Sequence, residues 1–222
     1  MLSMSLTTSY NEVLDAIEHL PPGASLVIHD FEWDEYERLL EALLDGRHVH
    51  VSYDCGRLDI LSTSSPHEQY GWFINLLVCA FCEANGLKVR GFGEMTWKKK
   101  LLGKGLEADE CYYIKSIDLI RGRKIITAES DPPPDIAVEI DITNSSERKL
   151  SIYAALSIPE VWRYDGKALR FYALTDGKYA DIQESRFLPG LTVSKLVEAI
   201  EASKTGEPMD ALKEFHKRIQ PS

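Results

Sequence analysis

Apolar and polar positions alternate along this chain with two different periods, and those periods predict helices and strands. Residues 33–44 carry apolar side chains at helical spacing, for example, whereas residues 57–62 alternate as a strand does. The same criteria predict helices over about 8–19, 33–44, 65–85, 146–156, 191–201 and 210–219. They predict strands over about 24–29, 48–53, 57–62, 88–92, 94–97, 110–115, 135–143, 161–164, 168–174 and 178–183.

The order of these elements predicts a mixed α/β (α+β) protein, with a central mixed β-sheet flanked by helices. A length of 222 residues suits one moderately large domain, or one domain with an appendage. We expect a helix–strand–helix extension over 1–45, a core over 46–205 and a C-terminal helix over 206–222.

The predicted strand at 135–143 carries acids where a buried strand is expected to carry none. Isoleucine and valine fill one face, while Glu139 and Asp141 lie on the other face, roughly 6–7 Å apart. Two half-solvated carboxylates at that spacing repel each other unless a cation or a proton lies nearby. Such a pair suits a divalent metal ion that activates water.

A second carboxylate for such an ion has to come from another strand. Asp135 and Glu139 lie about 13 Å apart along one strand, too far to share an ion, so Asp135 is expected to be a strand-entry residue. Asp109 precedes the strand at 110–115 and would face Glu139 across about 5 Å if the two strands are neighbours. A role for Asp109 as a turn acid remains the alternative.

Two further residues near helix starts are candidates for this site. Lys149 is either a solvated helix cation or an ammonium that reaches back to Glu139, where it would orient water and stabilise phosphorane charge. Glu68 is either a capping-box acid of the long helix or a supporting ligand for a second cation through water. His67 beside it is a candidate phosphate contact.

The net charge of −10 is unfavourable for a protein that contacts phosphate, but the charge is unevenly distributed. The stretch 97–124 is rich in lysine and arginine, and it is either a nucleic-acid contact or an ordinary solvated surface. The candidate contacts in it are Lys98, Lys99, Lys100, Arg121 and Arg123.

Hydropathy and cysteine usage restrict the location of the protein. No apolar run approaches 18 residues, so no membrane span is expected. Cys79 and Cys82 form a C-x-x-C pair without a second pair or a suitably spaced histidine pair, which favours two small core residues over a zinc or redox site. This usage fits a reducing cytoplasm.

Several of these segments, in this order, resemble a known protein family. They are residues 105–114 (GLEADECYYI), residues 133–143 (PPDIAVEIDIT), Lys149 and residues 153–164 (YAALSIPEVWRY). Together they resemble the Uma-type restriction endonucleases, a family long filed as a domain of unknown function within the PD-(D/E)XK nuclease superfamily. The resemblance covers roughly residues 30–205.

The resemblance implies a restriction-endonuclease-like core and an Mg²⁺ or Mn²⁺ ion bound by Asp109 and Glu139. Two positions depart from the superfamily pattern. Ala108 stands where proline is usual before the aspartate, and Asp141 occupies the position of the lysine. In related branches the lysine has moved to the following helix, which would make Lys149 the substitute and Asp141 an extra ligand or a structural acid.

Two functions are therefore in competition. The first is a metal-dependent endonuclease that hydrolyses phosphodiester bonds of DNA, with Asp109, Glu139 and Lys149 as catalytic residues. The second is a non-catalytic nucleic-acid-binding or oligomerisation module on the same fold. Because cutting two strands commonly needs two active sites, a homodimer is a reasonable expectation.

Overall fold

The computed structural model of the protein describes residues 2–4, 10–43, 49–142 and 148–219. The helices are α1 Tyr10–Glu18, α2 Trp33–Leu43, α3 Ser65–Ala84, α4 Lys149–Ala155, α5 Val193–Thr205 and α6 Pro208–Ile219. The strands are β1 Leu2–Met4, β2 Ser25–Ile28, β3 Val49–Asp54, β4 Arg57–Ser62, β5 Arg90–Gly91, β6 Met95–Lys99, β7 Lys104–Ala108, β8 Glu110–Tyr113, β9 Ile136–Ile140, β10 Glu160–Tyr164, β11 Leu169–Thr175 and β12 Lys178–Ile182.

The strands form two sheets within the described ranges. The first has the order β1-β2-β4-β3-β7-β6 and the second has the order β12-β11-β10-β9-β8-β5. Each sheet is mixed, because β1 pairs with β2 and β9 pairs with β10 in parallel while the remaining pairs are antiparallel. The predicted α+β class is confirmed, but the expectation of one central sheet is wrong.

The chain passes between the two sheets more than once, and Asp109 is the one residue between β7 of the first sheet and β8 of the second. Residues 104–108 form a strand that the sequence pattern did not predict. Gly105 serves close packing there, since an added Cβ would lie 2.5 Å from the hydroxyl oxygen of Tyr36. Because Gly105 has no side chain, Tyr36 of α2 can pack closely against β7.

The alternation predicted for β9 is confirmed by the packing of its side chains. Ile136, Val138 and Ile140 belong to a core formed with α3, α5 and α6, whereas Ala137 belongs to a separate core beside α4. Glu139 shares the face of Ala137 because side chains alternate along a strand. The acid therefore points toward α4.

The N-terminal helix–strand–helix segment joins the first sheet. β2 pairs with β4, from Ser25 opposite Leu61 to Ile28 opposite Leu58, and α1 and α2 cover the core of this sheet. The expected boundary at residue 45 and the expected helix start near 146 lie outside the described residues. In the structure α4 begins at Lys149.

Candidate active site

Asp109 is held at the end of β9 by two main-chain contacts. Its own N–H donates to the Val138 carbonyl over 3.1 Å, and the Ile140 N–H donates to its Oδ2 over 2.5 Å. The β8–β9 register pairs Glu110 with Val138, so Asp109 lies beside Glu139 where the ladder ends. The residue that joins the two sheets is thus a buried acid.

Glu139 is only 1% exposed, and both of its carboxylate oxygens have donors from α4. The Lys149 ammonium donates to Oε2 over 2.7 Å, and the Tyr153 hydroxyl donates to Oε1. Lys149 and Tyr153 are four residues apart and therefore lie on one face of the helix. The packing of α4 against the sheet consequently places a cation and a hydroxyl on the same carboxylate.

The three ionisable groups influence one another strongly. Burial raises the pKa of Glu139 to about 7, with the Asp109 and Asp141 charges acting in the same direction and the Lys149 charge opposing them. Burial alone would raise the pKa of Asp109 as well, but His67, His50 and Lys149 outweigh it and lower that pKa. Asp109 is therefore ionised near neutral pH, whereas Glu139 takes up a proton more readily than a solvated glutamate does.

Two histidines flank Asp109: His67, which the sequence predicted as a phosphate contact, and His50, which sequence analysis did not assign to this site. His50 Nδ1 lies 3.1 Å from Asp109 Oδ1, and His67 Nε2 lies 3.2 Å from Asp109 Oδ2. Both imidazoles are buried. Together with Asp109 they offer ligand atoms within 4.8 Å of one another, a spacing that can hold a metal ion.

The outer nitrogens of the same histidines face two glutamates. His50 Nε2 lies 3.5 Å from Glu94 Oε1, and His67 Nδ1 lies 3.6 Å from Glu68 Oε1. Burial lowers the pKa of His50, but Glu94 and Asp109 more than compensate and raise it to about 9. Each imidazole thus lies between two carboxylates.

The pairing of strands explains why His50 was missed. β3 pairs with β7, with Ser52 opposite Leu106, and this pairing brings His50 toward the end of β7 where Asp109 follows. No spacing along the chain links residue 50 to residue 109. The usable signal was a histidine within a predicted apolar strand, where a polar side chain needs a partner.

A pocket of about 150 Å³ opens beside Asp109. It gives this end of the site access to solvent, whereas Glu139 lies behind it among buried side chains. The pocket is lined by His50, His67, Glu68, Gly71, Trp72, Asn75, Glu94, Asp109 and Glu110.

The two supporting acids lie in different environments. The Glu68 side chain is about half exposed and lines the pocket near His67, and the helix cap Ser64 makes no side-chain cap hydrogen bond. Asp141 Oδ2 accepts from Arg163 Nε over 2.9 Å and from Arg163 Nη2 over 2.6 Å. An arginine from β10 therefore neutralises Asp141.

Most of the candidate nucleic-acid contacts form ion pairs within the protein. Lys98 binds Glu37 over 2.6 Å and Lys100 binds Asp34 over 2.7 Å, so two of them tie β6 and the turn after it to α2. Arg121 pairs with Asp118, and Arg123 lies 3.1 Å from Asp131. Lys99 is the last residue of β6 and lies between Lys98 and Lys100 in the sequence.

Asp135 and the C-x-x-C pair have structural surroundings. Asp135 Oδ2 accepts from the N–H groups of Ile114 and Ser116 over 2.7 Å and 3.0 Å, as suits a strand-entry acid. The expectation that both cysteines of the pair lie in the core is wrong for Cys79. Cys82 is buried, but Cys79 is exposed on α3.

Comparisons with known proteins identify a family and a similar solved structure. A family model described as "Uma2: Putative restriction endonuclease" matches residues 33–205. A crystal structure of a putative nuclease belonging to DUF820 from Anabaena variabilis ATCC 29413 has 14% sequence identity and a TM-score of 0.44, covering 66% of this chain and 89% of that chain. No curated protein matches the chain. Among the described helices, none has the length and apolar character needed to cross a membrane.

Proposed function

Because the chain belongs to the Uma2 family, whose description is putative restriction endonuclease, we propose that it is a metal-dependent endonuclease that hydrolyses phosphodiester bonds of DNA. The family match covers residues 33–205 and therefore includes every catalytic candidate. The proposal assigns Asp109 and Glu139 as the carboxylates that hold a divalent cation, and Lys149 as the cation that assists the attack of water.

The observation that carries this proposal is the buried ion pair between Lys149 and Glu139 next to Asp109. These residues come from a helix, a strand and the link between two sheets, yet Lys149 lies 2.7 Å from Glu139 and its charge acts on Asp109. Keeping two carboxylates and an ammonium out of water is costly, and that cost is tolerated most often at functional sites.

Each residue has a chemical task that follows from its surroundings. A divalent cation, when bound, supplies a Lewis acid that lowers the pKa of water and offsets phosphate charge. Lys149 keeps its proton, because the Glu139 and Asp109 charges raise its pKa against the effect of burial, so it offers positive charge to a phosphate oxygen. Tyr153 and the Ile140 N–H restrain Glu139 and Asp109 respectively.

DNA as substrate is supported by the family and by the rim of the pocket. Trp72 lines the pocket and is 48% exposed, so its indole offers a stacking surface to an unpaired base. For cleavage of both strands, a homodimer would supply two sites, one for each backbone. Four free thiols suit a cytoplasmic enzyme.

A plasmid-nicking assay tests the proposal. Supercoiled DNA is incubated with the protein and Mg²⁺ or Mn²⁺, with and without a chelator, and the nicked and linear forms are measured. Asp109→Asn is expected to abolish nicking. The matched control is Asp135→Asn, since Asp135 is also a buried aspartate that accepts main-chain N–H groups. Equal nicking by wild type and Asp109→Asn would refute the proposal.

The second candidate is a non-catalytic nucleic-acid-binding or oligomerisation module. It is favoured by the net charge of −10 and by the acidic partners of Lys98, Lys100, Arg121 and Arg123. Such a module would bind DNA or self-associate without cation-dependent nicking. DNA binding in a mobility-shift assay combined with intact plasmid in Mg²⁺ and in Mn²⁺ would select it.

A further inference from the structure

The two buried histidines beside Asp109 point to the kind of ion that this site takes. We propose that His50, His67 and Asp109 form a binding site for a first-row transition-metal dication, such as Mn²⁺, Co²⁺ or Zn²⁺, and that the site selects such an ion over Mg²⁺. This inference rests on the proposed function only in that Asp109 belongs to both sets of ligands, and metal binding can be measured without cleavage.

The distances between the side chains match ligands arranged around a shared ion. Ligand atoms about 2.0–2.1 Å from one metal ion lie about 2.8–3.4 Å from each other in octahedral or tetrahedral sites. His50 Nδ1 lies 3.1 Å from Asp109 Oδ1 and His67 Nε2 lies 3.2 Å from Asp109 Oδ2, so each carboxylate oxygen faces one imidazole. One ligand atom from each of the three residues lies within 4.8 Å of the others.

The orientation of the imidazoles supports the same conclusion. Among the described residues, none of the ring nitrogens of His50 or His67 makes a hydrogen bond of acceptable geometry. His50 is 3% exposed and His67 is 6% exposed, and a buried polar group normally has a partner. The ring nitrogens lie 3.1 Å and 3.2 Å from the Asp109 oxygens without a hydrogen bond of good geometry, so each can bind an ion shared with Asp109 once it has lost its proton.

The ligand types decide which ion is favoured. Mg²⁺ prefers oxygen ligands and keeps several waters, whereas imidazole nitrogen suits the first-row transition metals. A set of two imidazoles and one carboxylate therefore favours Mn²⁺, Co²⁺ or Zn²⁺. The pocket of about 150 Å³ adjoins the three side chains and leaves room for water or a phosphate oxygen to complete the coordination.

Glu94 and Glu68 are placed to orient the two histidines. A histidine that binds a metal through one nitrogen commonly donates its other N–H to a carboxylate. His50 Nε2 lies 3.5 Å from Glu94, and His67 Nδ1 lies 3.6 Å from Glu68. Both outer nitrogens thus face an acid that would hold the ring and select its tautomer.

Calorimetric titration with MnCl₂, ZnCl₂ and MgCl₂, one at a time, tests the inference. We expect wild type to bind one Mn²⁺ or Zn²⁺ at least about tenfold more tightly than Mg²⁺, and His50→Gln and His67→Gln each to weaken binding at least about tenfold. The matched control is His19→Gln, because His19 is three-quarters exposed and lies 3.7 Å from Asp15. Unchanged binding in both site variants would overturn the inference and leave the histidines as partners that neutralise Asp109.

A measurement on the wild-type protein covers the case in which a histidine variant fails to fold. Pulsed electron paramagnetic resonance of the Mn²⁺-loaded protein is expected to show couplings to imidazole nitrogen. One Mn²⁺ bound per protein molecule without any coupling to nitrogen would overturn the inference.

The outcomes separate this inference from the proposed function. Transition-metal binding that needs both histidines, in a protein that never nicks DNA, supports the inference and refutes the endonuclease. Mg²⁺-dependent nicking that is lost in Asp109→Asn but unchanged in His50→Gln and His67→Gln supports the endonuclease and refutes the inference.

Discussion

Glu139 and Glu160 are fully buried glutamates on neighbouring parallel strands, and their surroundings differ sharply. Glu160 accepts from the Trp162 indole over 2.7 Å and from the Arg186 N–H over 2.8 Å. Glu139 accepts from the Lys149 ammonium and the Tyr153 hydroxyl, and a second carboxylate lies beside it. One acid is held by neutral donors, whereas the other belongs to a charged cluster.

The difference shows that burial of an acid does not by itself mark a functional site. Burial is the largest cause of the raised pKa of both glutamates. At Glu160 the hydrogen bonds to an indole and to the main chain explain the side chain as part of the fold. At Glu139 the lysine, the adjacent Asp109 and the nearby pocket together suggest chemistry.

Paired substitutions at the two glutamates give the largest expected effect. Glu139→Gln is expected to reduce cation-dependent nicking by at least about a thousandfold, equivalent to about 4 kcal/mol, because it removes a proposed metal ligand. Glu160→Gln is expected to leave the nicking rate per folded molecule within about threefold. Similar losses in both variants would end the distinction between the two acids.

Lys149→Met tests the charged partner of Glu139. We expect nicking to fall about a hundredfold, since a positioned proton donor or cation contributes at this level. The matched control is Lys195→Met, because the Lys195 ammonium donates to a neutral acceptor, the Gly190 carbonyl, over 2.8 Å. Rates from plasmid nicking, corrected for folded protein by circular dichroism, check this expectation. An unchanged rate in Lys149→Met would assign the lysine a purely structural role.

Glu160→Gln also has an expected cost in stability. The glutamine side chain has one acceptor oxygen and one N–H₂ group, whereas Glu160 accepts from two N–H donors, Trp162 and Arg186. One of those donors would therefore face another donor, and the free energy of unfolding should fall by about 1–3 kcal/mol. Because the folded pKa of Glu160 is raised above 4.5, its contribution to stability is complete below that pH and is lost as pH rises through the folded pKa. Denaturant unfolding at several pH values should show this decline in wild type and its absence in the variant.

Asp141→Asn is expected to have the smallest effect. Its carboxylate is neutralised by Arg163, and an amide oxygen in the same place would still accept from the guanidinium. We expect the free energy of unfolding to fall by about 1 kcal/mol and nicking to stay within about threefold. Loss of nicking comparable to that in Glu139→Gln would instead make Asp141 part of the site.

Local patterns in the sequence predicted elements whose cause is local. The hairpin of β3 and β4, the long helix α3 and the alternation along β9 follow from side-chain periodicity and turn residues. The strand β7 was missed because Gly105 resembles a turn residue, whereas its role is to make room for Tyr36. That role becomes visible only when α2 is packed on the sheet.

The candidate site likewise contains residues that the sequence predicted and residues that only the tertiary structure brought together. Glu139 stands out in the sequence because an acid in an apolar strand violates the pattern, and Lys149 and Asp109 were found as its partners by geometry and family resemblance. His50 could not be connected to Asp109, since a sequence separation of 59 residues carries no periodic signal, and His67 was predicted as a phosphate contact rather than as a neighbour of Asp109. Their contact depends on β3 pairing with β7 and on the direction of α3.

The amino-acid order alone determined the local geometry: which segments are helices or strands, and which strand carries a buried acid. It could do so because backbone periodicity acts over a few residues. Only the tertiary structure decided that the strands divide into two sheets, that Asp109 joins them and that two imidazoles flank its carboxylate. Those arrangements arise from the pairing of distant strands and from close packing, whose energies depend on residues far apart in the chain.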